Sequence, residues 1–323
     1  MLRISTAALL ILTASAPLLE SPARAAEIGW SIQRPGTRPE AGKVQLRIES
    51  QWGRSNRSSW SRDYPLTDLQ GLSSAQLAGQ PAPVRFALAR EAGRLDCSGV
   101  AGNSAGSGSC SFAGNPAFAS YLAARGIGQP GERHAFALTM SGVGRPLIDA
   151  LTSLGYPRPT VDQLVAMGIH GVTPDFVRGL AATGYRLKSA DELVAFRIHG
   201  VSVDYIRAIA AAGPQLRNLP ADSLVAFRIH GVTPELVRTY ASLGHRLDKD
   251  AIVSMRIHGV TPQYIRDMAA LGYGRLTADQ LVSMRIHGVT ADYVRALHSQ
   301  GLRPSSADQL VRLRLSGYRP GQR

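Results

Sequence analysis

The stretch RIHGVTPELVRTYASLGHRL, Arg228–Leu247, is repeated with small changes on both sides of itself. Its fragment Ile-His-Gly-Val occurs five times, at His170, His199, His230, His258 and His287, with spacings of 29, 31, 28 and 29 residues. One period before His170 lies Ser141 in MSGVGRPLIDALTSLGY, and one period after His287 lies Ser316 in LRLSGY. These read as the worn first and last copies. Self-similarity at this period is the mark of a stacked repeat array.

The unit from Gly171 to His199 can be parsed residue by residue. Thr173 suits an N-cap, and Pro174 suits the first helical position, where no amide hydrogen is needed. Phe176, Val177 and Leu180 form an apolar stripe, and Gly184 suits a left-handed C-cap. Ser189-Ala190-Asp191-Glu192 reads as a capping box. Leu193, Val194, Phe196 and Ile198 follow, and Gly200 ends a second helix. Each unit is thus two helices of about ten residues, too short to persist alone, and stable only when stacked on neighbours.

Each repeated histidine falls one residue before a capping glycine. A cationic or hydrogen-bonding group there meets unpaired carbonyls and the negative end of the helix dipole. Arg197, Arg228, Arg256 and Arg285, two residues earlier, suit the same place. A shared metal is disfavoured, because stacked helices lie about 8–10 Å apart. Zinc would need imidazole nitrogens far closer than that, with Zn–N of about 2.0–2.1 Å. The five histidines are therefore read as structural, with no metal and no cofactor.

A second series, Arg178, Arg207, Arg238, Arg266 and Arg295, recurs in the first helix of each unit. Asp175, Asp204, Glu235 and Asp292 stand three residues before four of them, and Gln263 stands before Arg266. This candidate binding ridge is either paired within its own helix or turned toward an anionic ligand.

Upstream, residues 27 to about 115 read as β structure. Val44, Leu46 and Ile48 share one face of KVQLRIES, and Val84, Phe86 and Leu88 share one face of PVRFALAR. Roughly six strands are expected, in a small sandwich or half-barrel. The only two cysteines, Cys97 and Cys110, flank VAGNSAGSGS and are expected to pin a glycine-rich hairpin through a disulfide. Gly102-Asn103-Ser104-Ala105-Gly106 matches the G-x-S-x-G nucleophile elbow. That motif needs a helix after the serine, however, and none can start inside this loop, so a flexible hairpin tip is expected. PAFASYLAARGIG, Pro116–Gly128, reads as a helix that closes the β domain, with a linker at 129–134.

The first 25 residues have the pattern of a signal peptide: a basic start, the run AALLILTASAPLL, and small residues around Ala23 and Ala25. That apolar run is too short to span a bilayer, and no later stretch approaches the length of a membrane helix. The net charge of +13 is nearly all arginine and is spread along the chain, which favours anionic partners. An exported chain rarely meets nucleic acid, and none is expected.

GVTPELVRTYASLGHRL and ADSLVAFRIHGVTPELV resemble the tandem short αα repeats of exported bacterial proteins. Some of these follow the peptidase part of beta-lactam-sensor-type membrane antirepressors. FALAREAGRLDCSGVAGNSAGSGSCSFAGNPAF is similar to the glycine-rich β module that often precedes such repeats, the cysteine pair being a departure. The peptidase part is absent, so the resemblance implies an envelope sensing or protein-interaction module.

The reading is an α+β chain: a signal peptide at 1–25, a disulfide-containing β domain at 26–134 and an αα-repeat solenoid at 135–323. It is expected to be an exported, non-enzymatic binder of a protein or an anionic envelope component. A sensor or accessory module, or a hydrolase acting through the β domain, is the alternative. Nothing in the repeats specifies an oligomeric state.

Overall fold

The computed structural model describes residues 26–32, 42–53, 56–185 and 187–321. The expected signal peptide and most of the turn RPGTRPEAG lie outside them. The described residues divide into two compact units: those up to Leu88 with Leu95–Ser111, and Ala89–Arg94 with those from Phe112 onward.

The first unit is built on one seven-stranded sheet rather than a two-sheet sandwich. Its strands are β1 (Glu27–Ile32), β2 (Lys43–Trp52), β3 (Asn56–Pro65), β4 (Leu69–Gln70), β5 (Ala82–Arg90), β6 (Gly93–Gly102) and β7 (Ala105–Gly114). They run in the order β3-β2-β1-β7-β6-β5-β4, a half-barrel. Alternation sets the faces, as expected: Val44, Leu46 and Ile48 are buried on β2, and Val84, Phe86 and Leu88 on β5. Ser50 continues the inner row of β2, its hydroxyl paired with that of Ser58 at 2.7 Å.

The strand that composition hid is β7, AGSGSCSFAG, which has almost no apolar alternation. Its inward positions are Gly106 and Gly108, and they lie against Trp30 of β1, which pairs in register with Gly108. A Cβ on Gly108 would fall 2.6 Å from the indole nitrogen, and one on Gly99 of β6 would fall 2.8 Å from the indole ring. The missing side chains form a seat on which Trp30, only 3% exposed, lies flat. Its Nε1–H donates to the Ser98 carbonyl at 3.0 Å, and Phe86 meets the ring edge-on at 5.0 Å. Two residues further along β6 and β7, Cys97 and Cys110 form the expected disulfide, with Cα atoms 4.0 Å apart. By the loop-entropy model, closing this loop stabilises the unit by about 3 kcal/mol.

The G-x-S-x-G match is the turn of the β6–β7 hairpin. Asn103 and Ser104 both take left-handed conformations, with φ of 53° and 63°, and the chain continues into a strand. The tip is tied down rather than loose. The amides of Asn103 and Ser104 donate to the carbonyls of Gly79 and Leu77, at the end of α1 (Ser74–Ala78).

The second unit opens with α2 (Pro116–Ala124) and α3 (Glu132–Ser141). Phe118 and Leu122 of α2 belong to the same apolar core as the repeats, so this helix is part of the second unit. The segment read as a linker at 129–134 gives its last three residues to α3. Six helix pairs follow. They are α4 (Arg145–Ser153) with α5 (Val161–Ile169), α6 (Pro174–Ala182) with α7 (Ala190–Ile198), and α8 (Val203–Ala212) with α9 (Ala221–Ile229). Then come α10 (Pro234–Ser242) with α11 (Lys249–Ile257), α12 (Pro262–Ala270) with α13 (Ala278–Ile286), and α14 (Ala291–Ser299) with α15 (Ala307–Leu315).

First helices stack on first helices and second helices on second helices, with α3 heading the second-helix row. The array is therefore two rows of helices with a continuous core between them. Leu193, Phe196, Leu224, Phe227, Ile252 and Met255 supply it from the second row, and Val177, Leu180, Ile209 and Tyr240 from the first. The 31-residue spacing between His199 and His230 is absorbed outside the helices. GPQLRN forms a short 3-10 turn at Pro214–Leu216 whose Leu216 side chain fills the core.

Candidate functional site

Each Ile-His-Gly-Val sits where a second helix stops. In the copy at Ile198–Val201, His199 is the C-cap and Gly200 is left-handed with φ of 68°. Val201 folds back so that its amide donates to the Phe196 carbonyl at 2.7 Å, and its side chain is buried. The other four copies repeat this closure. It explains glycine, by its left-handed backbone, and valine, by its burial.

The histidines contribute backbone. The carbonyls of His170, His199, His230 and His258 accept from the Nε of Arg197, Arg228, Arg256 and Arg285, each one unit further on, at 3.0–3.4 Å. The expected cap on these helix ends thus comes from the neighbouring unit's arginine. The imidazoles are exposed or half-buried and make no hydrogen bond or ion pair among the described residues. Among the described residues, no cluster of three or more His, Cys, Asp or Glu is placed to hold a metal.

Three of these arginines, and Arg314 of the last unit, lie over rings. Arg197 covers Phe176, Arg228 covers Tyr205, Arg285 covers Tyr264 and Arg314 covers Tyr293, at 4.8–5.1 Å. The tyrosines in turn bind the end of their own unit's second helix. Tyr205 donates to the Val232 carbonyl at 2.7 Å and Tyr264 to that of Val289 at 2.8 Å. In the unit where leucine, Leu236, takes the ring position, Tyr240 one turn later reaches the equivalent Val260 carbonyl at 2.7 Å. Arg256 accordingly keeps its bond to His230 but has no ring beneath it. Arg228→Ala is expected to cost about 1–2 kcal/mol, and Arg256→Ala less by the cation–π share of about 0.5–1 kcal/mol. Urea denaturation of the two variants checks the order.

Burial pushes the Tyr205 and Tyr264 hydroxyls up to about 12, against the pull of Arg228 and Arg285. Folding therefore favours their neutral form. That contribution is whole below about pH 10, where free tyrosine titrates. It shrinks as pH rises toward about 12, because the unfolded chain sheds the proton first. Array stability in urea is expected to fall across this window, and Tyr205→Phe should lessen the drop. A pH-independent urea midpoint between 9.5 and 12 would contradict it.

The first-helix arginines are spoken for locally. Arg178, Arg207, Arg238 and Arg295 each pair with the acid three residues earlier, and the Arg266 guanidinium donates to the Gln263 side-chain carbonyl at 3.0 Å. The capping box expected at Ser189 is half formed. Ser189 accepts from the Glu192 amide, while the Glu192 carboxylate accepts from the amide of Lys188.

Isoleucine is the residue that the helix stop leaves unexplained. Ile169, Ile198, Ile229, Ile257 and Ile286 are 46–58% exposed, and Leu315, the sixth equivalent, is 64% exposed. Nine large apolar side chains are more than a third exposed among the described residues, and six of them occupy this one position. Single exposed apolar residues need no explanation, but a row in register forms a patch. One turn before each stands a half-buried valine: Val165, Val194, Val225, Val253, Val282 and Val311. One turn before that stands an exposed aspartate: Asp162, Asp191, Asp222, Asp250, Asp279 and Asp308. Positions seven and four residues before the isoleucine share its helix face. The outer face of the second-helix row is thus an apolar band. Aspartates border it at the helix starts, and arginines and histidines at the helix ends. In sequence Ile198 is one of four apolar residues with no face assigned, and the structure turns it out while burying Phe196.

Fold and surface together define a class: an αα-repeat solenoid that follows a disulfide-pinned β half-barrel in the chain and carries a periodic apolar band. Compared with known proteins, the chain matches no family model and no curated protein sequence. No helix among the described residues is long and apolar enough to cross a membrane.

Proposed function

We propose that this is an exported, non-enzymatic scaffold that binds a protein partner along the outer face of its second-helix row. The observation that carries the reading is the sixfold exposure of isoleucine or leucine at a position the fold does not need to be apolar. A protein partner is favoured over an anionic envelope polymer because four of the five ridge arginines pair with acids of their own helices, whereas the exposed row on the second helices is apolar. Export is supported by the leader pattern of residues 1–25 and by the Cys97–Cys110 disulfide, a bond of oxidising compartments. An envelope sensing role of the kind the repeat resemblance implies fits the same surface.

The test is a photo-crosslinking residue placed at Ile229, and separately at Arg238 on the first-helix row, in intact cells. Adducts are expected from position 229 and not from 238. They should disappear when Ile198, Ile257 and Ile286 are changed to serine without loss of helix signal. Equal yields from both positions, or none from 229, would overturn the reading.

A further inference from the structure

The band is polar at both edges, and the two edges differ in sign. Aspartate stands at the start of each of the six paired second helices, α5, α7, α9, α11, α13 and α15, where Asp162 also meets His134 at 3.0 Å and Asp250 meets Lys249 at 2.7 Å, and five arginines with five histidines stand at the ends. A uniformly anionic surface such as a lipid headgroup layer would sit against the aspartates, and a uniformly basic peptide against the arginines. The face asks for an occupant whose charge reverses across its width in the opposite sense. A second copy of this same face, turned about a two-fold axis along the array, has that property by construction. Each aspartate row then lies over the partner's arginine–histidine row, and the isoleucines and valines interdigitate between them. The facing helices run antiparallel, so their dipoles also oppose favourably. The other in-plane two-fold axis would set aspartate on aspartate.

The area is adequate. Six helices at about 8–10 Å spacing, each nine residues long at 1.5 Å rise, give a face of about 50 by 13 Å. That is roughly 650–700 Å² in projection, close to the ~800 Å² per partner of a standard interface. The interface is isologous, as most closed dimers are.

We infer that the outer face of the second-helix row is a self-association surface, pairing two copies of this chain with aspartate rows over arginine–histidine rows. This rests on the reading of that face as a docking surface and names its occupant.

Sedimentation equilibrium of the purified chain from Ala26 onward tests it, at concentrations from about 1 to 50 μM. The expected result is a dimer. Changing Ile198, Ile229 and Ile257 to serine, at positions the fold leaves exposed, should raise the dimer dissociation constant at least tenfold with unchanged far-ultraviolet dichroism. Two charge variants fix the geometry. One carries Asp191, Asp222, Asp250 and Asp279 changed to arginine. The other carries His199, His230, His258 and His287 changed to aspartate. Each alone should be monomeric, and their equimolar mixture should form a heterodimer. A wild-type chain that stays monomeric at 50 μM overturns the inference, as does a dimer indifferent to the isoleucine changes. In either case, adducts to another protein at position 229 would still stand for the docking surface itself.

Discussion

Replacing Phe227 with alanine is expected to lower the stability of the repeat array by about 3–5 kcal/mol. Its ring is fully buried between the two helix rows. Truncation removes its transfer free energy and leaves a cavity that the short helices cannot close. The same position in α5, α7, α11 and α13 is held by Met167, Phe196, Met255 and Met284, all fully buried. Phe227→Met is therefore expected to cost no more than about 1.5 kcal/mol. Because a solenoid is held together by nearest-neighbour contacts, the loss should spread outward from α9. Amide exchange should quicken first in α7 to α11 and leave β1–β7 unchanged. Ile229→Ala, two residues away, serves as the control and should fall within about 0.5 kcal/mol, as surface changes do. If the two alanine variants shift the urea midpoint equally, the assignment of inner and outer faces is wrong.

Gly108→Ala is expected to be the most damaging single-methyl change in the β unit. The new Cβ would lie 2.0 Å from the Ser98 carbonyl oxygen and 2.6 Å from the Trp30 indole nitrogen. The first contact is with backbone, which cannot swing aside. Either the β6–β7 pair parts or Trp30 leaves its seat and loses its bond to Ser98. Overpacking of this kind costs about 1–3 kcal/mol, and displacing the indole adds to it. Ser107→Ala and Ser109→Ala, on the exposed positions either side, should stay within about 0.5 kcal/mol. Denaturation followed by tryptophan fluorescence reads both, and a Gly108→Ala variant as stable as Ser109→Ala would remove the glycine seat from the argument.

These two sites show where reading residues in order succeeds and where it stops. Thr173, Pro174 and Gly184 announce their helix because caps and first-turn residues act on the backbone next to them. Cys97 and Cys110 could be paired because there are only two. β7 was foreseen only as the far arm of the cysteine-pinned hairpin and shows no strand pattern of its own, since its glycines are required by an indole, Trp30, that pairs with Gly108 from 78 positions away in the chain. Arg228 was placed at a helix end correctly in kind but not in address, because its acceptor belongs to the unit before.

The order of the chain alone determined the repeat period, the helix starts and stops, and the α+β division, all of which follow from local backbone chemistry. It could not determine which apolar residue of ADELVAFRI faces inward. Leu193, Val194, Phe196 and Ile198 outnumber what one side of a nine-residue helix can bury. Only the stacking of α5 and α9 against α7, with the first-helix row beneath, selects Phe196 for the core and leaves Ile198 to solvent. A helix carries its own pattern of apolar residues, but the direction of burial is a property of its neighbours.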